Sequence, residues 1–293
     1  SFPIATAGTA FRTGGLTCSA LVRDLLVRIE RLNGSLGAFI EVTSQAALRQ
    51  AATLDTELAH GIDRGPLHGI PIGIKDLFDV AGVRTTAGSG FLASSRIKQR
   101  DAVVVQTLRD AGAIFLGKNN MEEFAAGMTG HNLAFGDMHN PWNISYSAGG
   151  SSGGTAVAVA AGMCLGGIGS DTGGSVRFPA SVCGLVGIRP TSGLVSMEGA
   201  VPRSVSLDSA GVIARTVNDA ATLLAVICRN DERVYGARSE QGCDAAPEGD
   251  LTGLRVATVE RLTFQCIEPE IHLAVHRCMD VLSVRGAHVS SVE

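Results

Sequence analysis

Residues 169–180 read Gly-Ser-Asp-Thr-Gly-Gly-Ser-Val-Arg-Phe-Pro-Ala, and residues 149–154 read Gly-Gly-Ser-Ser-Gly-Gly. Small residues in a row allow tight turns in which several backbone N–H groups converge on one point, the arrangement of an anion or oxyanion site. Ser175 stands at the exit of the first cluster, where a bound carbonyl group can reach its hydroxyl. The two clusters therefore predict turns that present serine hydroxyls to a carbonyl substrate.

A serine hydroxyl is a weak nucleophile and needs a base. No histidine accompanies residues 169–180, but the second cluster offers Ser151, and Lys75 follows the apolar stretch 70–74. A lysine acts as a base only when burial lowers its pKa. Taken singly, the three residues are explained as a turn serine, a capping serine and a surface lysine. Together they favour a catalytic set.

Helices and strands alternate on both sides of these clusters. Apolar periodicity predicts helices over 16–32, 46–60, 102–111, 156–165, 216–229 and 268–284, and strands over 67–76, 113–117, 254–259 and 288–292. This alternation is typical of an α/β fold. The chain ends on a strand that has only begun, which predicts that the polypeptide is part of a longer fold.

Composition excludes several classes of protein. The chain is 45% hydrophobic and 18% charged, and its 37 glycines in 293 residues are nearly twice the average share of roughly 7%. A net charge of −4 argues against a nucleic-acid or anionic-membrane binder. Residues 138–170 carry no charge, but glycines interrupt them too often for a spanning helix. Seven cysteines without a C-x-x-C pair, and no signal peptide, predict reduced thiols in the cytoplasm.

Two other motifs offer alternatives. Residues 112–119 nearly match a phosphate-binding loop, but Asn119 replaces the required Ser or Thr and the segment is strand-like. Residues 149–153 match the nucleophile elbow, which would make Ser151 the nucleophile, with an acid and a histidine such as Asp208 and His272. From the pattern alone, a simple Gly-Ser turn explains this match about as well as an elbow does.

Five motifs, in order and spacing, resemble the amidase signature family: residues 69–76, 117–124, 140–142, 149–154 and 169–177. The resemblance extends from about Leu16 to the end of the chain. It implies a three-layer α/β/α fold around a mixed central sheet, with residues 1–293 forming a single domain. Family members continue well past the position of Glu293, so we expect the C-terminal part of the domain to be missing.

The resemblance also implies a role for each matching residue in a Ser–cis-Ser–Lys triad. Ser175 would be the nucleophile, Ser151 the bridging serine and Lys75 the base. The residues implied for the oxyanion hole are Thr172, Gly173, Gly174 and Ser175. Gly127 would line the substrate cleft, and Asp171 and Arg177 would brace the active loop.

The implied activity is hydrolysis of a carboxylic amide to an acid and ammonia or an amine, through an acyl-enzyme and without a metal or organic cofactor. A small-molecule amide is the implied substrate, with no direct nucleic-acid or membrane partner, and the chain would form a homodimer or bind a partner subunit. Two alternatives stay open. One is the glutaminase-type amidase subunit of a tRNA-dependent amidotransferase, and the other is a catalytically incomplete binding or interaction fragment.

Overall fold

A computed structural model describes residues 2–228, 250–259 and 266–292. Packing divides the chain into two compact units, Ser1–Asp244 and Ala245–Glu293. That residues 1–293 form a single domain stays a prediction.

The first unit contains a six-stranded mixed sheet. Its strands are β1 (Phe39–Val42), β2 (Pro71–Lys75), β3 (Ile114–Asn119), β4 (Gly166–Asp171), β5 (Val186–Ile188) and β6 (Ser209–Ala214). Their order is β1-β3-β2-β4-β6-β5. Strand β2 runs parallel to β3 and β4, and the other pairs are antiparallel. The predicted α/β fold with a mixed sheet is confirmed.

Within the described ranges, seven helices surround this sheet: α1 (Ile4–Arg12), α2 (Cys18–Leu36), α3 (Ser44–Ala59), α4 (Val103–Asp110), α5 (Gly153–Ala160), α6 (Arg177–Val182) and α7 (Val217–Ile227). Helix α2 shows how the sequence sets such an element. Thr17 accepts a hydrogen bond from the backbone N–H of Ala20 at its start, and Gly37 ends it in a left-handed conformation. Among the described residues, no helix has the length and apolar character needed to cross a bilayer.

The centre of the sheet places polar groups at one edge. Every residue of β2, β3 and β4 is buried, as expected for parallel strands covered on both faces. Strands β2 and β4 are parallel neighbours and end at Lys75 and Asp171. Their carboxyl ends therefore meet at one edge, where α/β folds commonly bind ligands.

The second unit, within its described residues, is a strand–helix–strand segment. It consists of β7 (Arg255–Val259), α8 (Pro269–Val284) and β8 (His288–Val292), with the two strands parallel. The strands predicted over 254–259 and 288–292 and the helix predicted over 268–284 are all present.

Glycine-rich segments account for the main differences from the predicted elements. Strand β4 was not predicted, because Gly-Gly-Ile-Gly-Ser-Asp lacks the branched residues typical of strands. Its glycines allow close packing of α5: a Cβ on Gly167 would lie 2.5 Å from Thr155 Cγ2. The helix predicted over 156–165 begins earlier, at Gly153, and ends at Ala160. Residue 229 of another predicted helix lies outside the described residues. The remaining elements absent from the prediction are α1, β1, β5, β6 and α6.

Gly154, inside α5, has no room for a side chain. A Cβ there would lie 2.3 Å from the carbonyl oxygen of Asn120 and 2.6 Å from that of Ala38. Gly154→Ala should therefore lower the free energy of unfolding by about 1–3 kcal/mol or more. Gly34→Ala is the matched control, because Gly34 lies in α2 with nothing within 4 Å of its Cβ position. There we expect a gain of about 0.5–1 kcal/mol. Urea denaturation measures the free energy of unfolding of both variants. Equal changes in the two would contradict the close packing around Gly154.

Candidate active site

Lys75 ends the central strand β2 with its side chain completely buried. Its Nζ lies 2.8 Å from Ser151 Oγ and 2.9 Å from Ser170 Oγ. The structure thus brings two of the predicted residues, Lys75 and Ser151, into direct contact. It also places the hydroxyl of Ser170 against the same amine, a contact that was not predicted.

Burial lowers the pKa of Lys75 from its ordinary value of 10.5 to about 7, because a charged ammonium loses its hydration inside the protein. Three carboxylates, Glu122, Asp171 and Asp208, oppose this effect and raise the pKa, whereas Arg203 lowers it. The neutral amine is therefore well populated near pH 7, as a general base requires.

Ser152, the residue after Ser151, connects the two serine-bearing loops through a hydrogen bond. The Ser152 N–H donates to the carbonyl of Ser175 at 3.1 Å, and the Ser152 hydroxyl donates to the carbonyl of Ser170 at 3.2 Å. The Gly150–Ser151 peptide bond is cis. The backbone bond between Ser152 and Ser175 holds the Ser175 loop beside the Lys75–Ser151 pair.

Asp171 organises the turn that carries Ser175. Its carboxylate accepts hydrogen bonds from the backbone N–H groups of Gly174 at 2.8 Å and Val176 at 3.2 Å, and it forms an ion pair with Arg177 at 3.0 Å. Burial alone would raise the pKa of Asp171, but these hydrogen bonds lower it below its ordinary value. Asp171 and Arg177 therefore make the bracing contacts that were predicted for them.

Ser175 follows this turn with 4% of its surface exposed, and its Oγ hydrogen-bonds to no residue that the structure describes. Of the four residues predicted for the oxyanion hole, Gly174 already donates its N–H to Asp171. The backbone N–H groups of Thr172, Gly173 and Ser175 meet no acceptor within the described ranges. Three of the four predicted donors therefore have no acceptor among the described residues.

Asp208 supports the same turn from the other side. Its Oδ1 accepts the hydroxyl of Thr172 at 2.5 Å, and its Oδ2 accepts the backbone N–H groups of Arg203 at 2.8 Å and Ser204 at 3.0 Å. The elbow alternative assigned this carboxylate to a triad with Ser151 and His272. In the structure the hydroxyl of Ser151 is bonded by Lys75, and His272 belongs to helix α8 of the second unit.

Glu122 is a buried carboxylate behind the Gly150–Ser151 turn. Its Oε1 accepts the N–H groups of Thr129 at 2.7 Å and Gly130 at 2.9 Å, whereas Oε2 has no partner among the described residues. A Cβ on Gly127 or Gly150 would lie 2.5 or 2.4 Å from this carboxylate. Gly127, predicted to line the cleft, thus makes room for Glu122.

The segment after Gly127 faces the oxyanion turn. Met128 Cε lies 3.7 Å from the Cβ position of Gly174, and Phe178 Cβ lies 4.0 Å from it. Both side chains are partly exposed. They form an apolar rim beside Ser175.

The segment that nearly matched a phosphate-binding loop is a buried strand. Residues 114–119 form β3, and Lys118 Nζ pairs with Asp76 Oδ1 at 2.5 Å. Burial lowers the pKa of Lys118 despite this carboxylate. The lysine is held inside the fold, so this segment offers no cradle for phosphate.

Sequence reasoning missed Ser170 and the charge of Glu122 as parts of the site. Ser170 reaches Lys75 because β2 and β4 pair in parallel, with Ile74 opposite Ile168. This register could have been inferred only if β4 had been recognised as a strand. Glu122 stood inside a matched motif, but the motif does not show that its carboxylate is buried near the lysine.

The chain belongs to the Amidase family, whose model matches residues 20–293. Among curated proteins it is 41% identical over 283 residues to a glutamyl-tRNA(Gln) amidotransferase subunit of Chromohalobacter salexigens, covering 96% of this chain and 58% of that protein. It is 44% identical over 280 residues to the corresponding subunit of Acidothermus cellulolyticus, covering 94% and 55%. The chain therefore spans less than two thirds of these relatives.

Solved structures agree with this membership. The peptide amidase of Stenotrophomonas maltophilia superposes with a TM-score of 0.85 at 37% identity, covering 100% of this chain and 62% of that one. The corresponding glutamyl-tRNA(Gln) amidotransferase subunit of Thermotoga maritima gives a TM-score of 0.75 at 34% identity, covering 96% and 62%. The two relatives share one fold, so the fold alone does not select between them.

The buried amine of Lys75 should reduce stability in a pH-dependent way. The unfolded chain holds the proton up to about pH 10.5, whereas the folded chain releases it near pH 7. The free energy of unfolding therefore falls as pH drops from 10.5 to 7 and levels off below 7. Since one pKa unit corresponds to about 1.36 kcal/mol, the effect amounts to several kcal/mol.

Lys75→Met should remove this dependence. The free energy of unfolding of the variant, relative to that of the parent, should therefore rise as pH falls toward 7. Urea denaturation between pH 7 and 10 measures it. Lys98→Met, at a partly exposed ion pair with Asp79, is the control and should keep the slope of the parent. A parallel pH dependence in Lys75→Met and the parent would refute the burial argument.

Proposed function

We propose that the protein hydrolyses a carboxylic amide through an acyl-enzyme on Ser175. The observation that carries the proposal is the buried amine of Lys75, 2.8 Å from the hydroxyl of Ser151 and with a pKa lowered to about 7. A group of this kind takes up and returns protons near neutral pH. The Ser152–Ser175 backbone bond keeps the nucleophile loop beside it.

In the proposed mechanism, Ser175 Oγ gives its proton to Ser151 Oγ as Ser151 passes its own proton to Lys75 Nζ. Ser175 Oγ then forms a bond to the amide carbonyl carbon, whose oxygen takes the negative charge. When the tetrahedral intermediate collapses, the C–N bond breaks and the relay returns the proton to the departing nitrogen. Water removes the acyl group by the same route, giving the acid and free Ser175.

The oxyanion in this mechanism is held by the backbone N–H groups of Thr172, Gly173 and Ser175. One well-placed oxyanion donor is worth about 2.7–4 kcal/mol in the transition state. The donors need a fixed turn, and Asp171 and Asp208 supply it through their bonds to Gly174 and Thr172. The two carboxylates act as positioning residues.

A second candidate is favoured by the sequence relatives: a glutaminase subunit that releases ammonia for a tRNA-dependent amidotransferase. The two relatives compared by sequence are both subunits of glutamyl-tRNA(Gln) amidotransferase. We propose the same chemistry for this role, with glutamine as the amide, a partner subunit that receives the ammonia and a cytoplasmic setting. Glutaminase activity together with co-purification of a partner would select this role, and turnover of simple or peptide amides without a partner would select the first.

Ser175→Ala should abolish hydrolysis of every amide substrate, because no other group then forms the acyl bond. A fluorophosphonate probe with peptide mapping by mass spectrometry should label Ser175 in the parent. Thr172→Ser, which keeps a hydroxyl for Asp208, is the control and should be labelled as the parent is. Label on Ser151 would support the elbow alternative. A folded protein that takes no label would support the binding fragment.

Glu122→Gln should move the acid limb of the kcat/KM profile to lower pH, by up to about one unit. The negative charge of Glu122 raises the pKa of Lys75, and glutamine keeps an acceptor for Thr129 and Gly130 without that charge. The matched control is Glu123→Gln, since Glu123 accepts the hydroxyl of Ser89 at 2.6 Å. An acid limb that stays in place in Glu122→Gln would argue against Lys75 as the titrating base.

A further inference from the structure

Arg203 lies between the two loops that bound the candidate site. Its backbone N–H donates to Asp208, the carboxylate that also holds Thr172 of the oxyanion turn. Its side-chain Nη1 donates to the carbonyl oxygen of Ala125, in the segment that leads to Gly127 and Met128. Arg203 is therefore anchored to both loops, to one through its backbone and to the other through its guanidinium.

The charge of Arg203 is left uncompensated by the described part of the chain. No described carboxylate lies within 4.0 Å of its guanidinium, and the residue is exposed. Other arginines near the site are paired: Arg177 and Arg189 both bond to Asp171. The charge of Arg203 also acts on the buried amine, since it lowers the pKa of Lys75.

The geometry of the side chain determines which ligand it fits. Nη1 is occupied by Ala125, whereas Nε and Nη2 donate to no described residue. These two nitrogens form one planar edge of the guanidinium, and such an edge binds a carboxylate through two parallel hydrogen bonds. The hydrogen bond to Ala125 holds this edge of the guanidinium in place, which reduces the conformational entropy lost on binding.

We propose that Arg203 binds a carboxylate group of the amide substrate, away from the bond that is cleaved. The inference rests on the proposed function and narrows its substrate class to amides that carry an anionic substituent, such as the monoamides of dicarboxylic acids or an amino acid with a side-chain amide. The partly exposed Met128 and Phe178 contact the apolar part of such a substrate.

The test is a binding measurement on the Ser175→Ala protein, so that turnover does not interfere. Titration calorimetry compares succinamate with succinamide, its neutral counterpart of the same length. We expect succinamate to bind more tightly, and Arg203→Gln to weaken its binding by about 10–100-fold with little change for succinamide. Arg203→Lys keeps the positive charge but lacks the pair of parallel N–H donors. Its affinity for succinamate should therefore fall between those of the Ser175→Ala protein with Arg203 and with Arg203→Gln.

Arg100→Gln is the matched control, because it removes the same charge from an exposed arginine outside these two loops, and it should bind succinamate as the parent does. Equal affinity for the two ligands, or a preference for succinamate that persists in Arg203→Gln, would overturn the inference. Hydrolysis of neutral succinamide by the parent protein is measured separately and bears on the proposed function alone. Melting curves verify that each variant is folded.

Discussion

The site depends on an amine that the fold keeps out of water. Lys75 can be buried because two hydroxyls, on Ser151 and Ser170, hydrogen-bond to its Nζ, so the group loses its hydration but not its partners. The surrounding carboxylates, with Glu122 first among them, limit how far the pKa falls. The balance between desolvation and these charges sets the pKa near neutrality, where a base can both accept and return a proton.

The remaining architecture supports this amine by joining two turns at one edge of the sheet. The parallel strands β2 and β4 bring Lys75 and Asp171 to the same edge. Asp171 then orders the N–H groups that follow it, with Arg177 neutralising its charge. Carboxylates here hold the turns, while the proposed chemistry belongs to the lysine, the serines and backbone N–H groups. This division explains how the site can be rich in acidic groups while the proposed base is a lysine.

The sequence predicted the contact between Lys75 and Ser151 but not all of the structure that supports it. The contact between Lys75 and Ser151 was implied by the family resemblance. The residues themselves indicated that an apolar strand buries the lysine and that the glycine-flanked serine lies in a turn. Strand β4 was not expected, because glycines are not typical of strands. In the structure its glycines leave room for the close packing of α5. Ser170, which depends on that strand, was missed with it. The proposed role of Arg203 depends on hydrogen bonds to Ala125 and Asp208, residues that no local sequence pattern connects to it.

Ser152 has a consequence for the motions of the site. Its N–H donates to the carbonyl oxygen of Ser175, and its hydroxyl donates to the carbonyl oxygen of Ser170 in strand β4. The Ser151 and Ser175 loops therefore cannot separate without breaking the Ser152–Ser175 bond. Local opening should therefore involve both loops as one cooperative unit. Amide hydrogens on the two turns should exchange with deuterium at the same rate. A rigid inhibitor that displaces one turn must therefore displace the other as well.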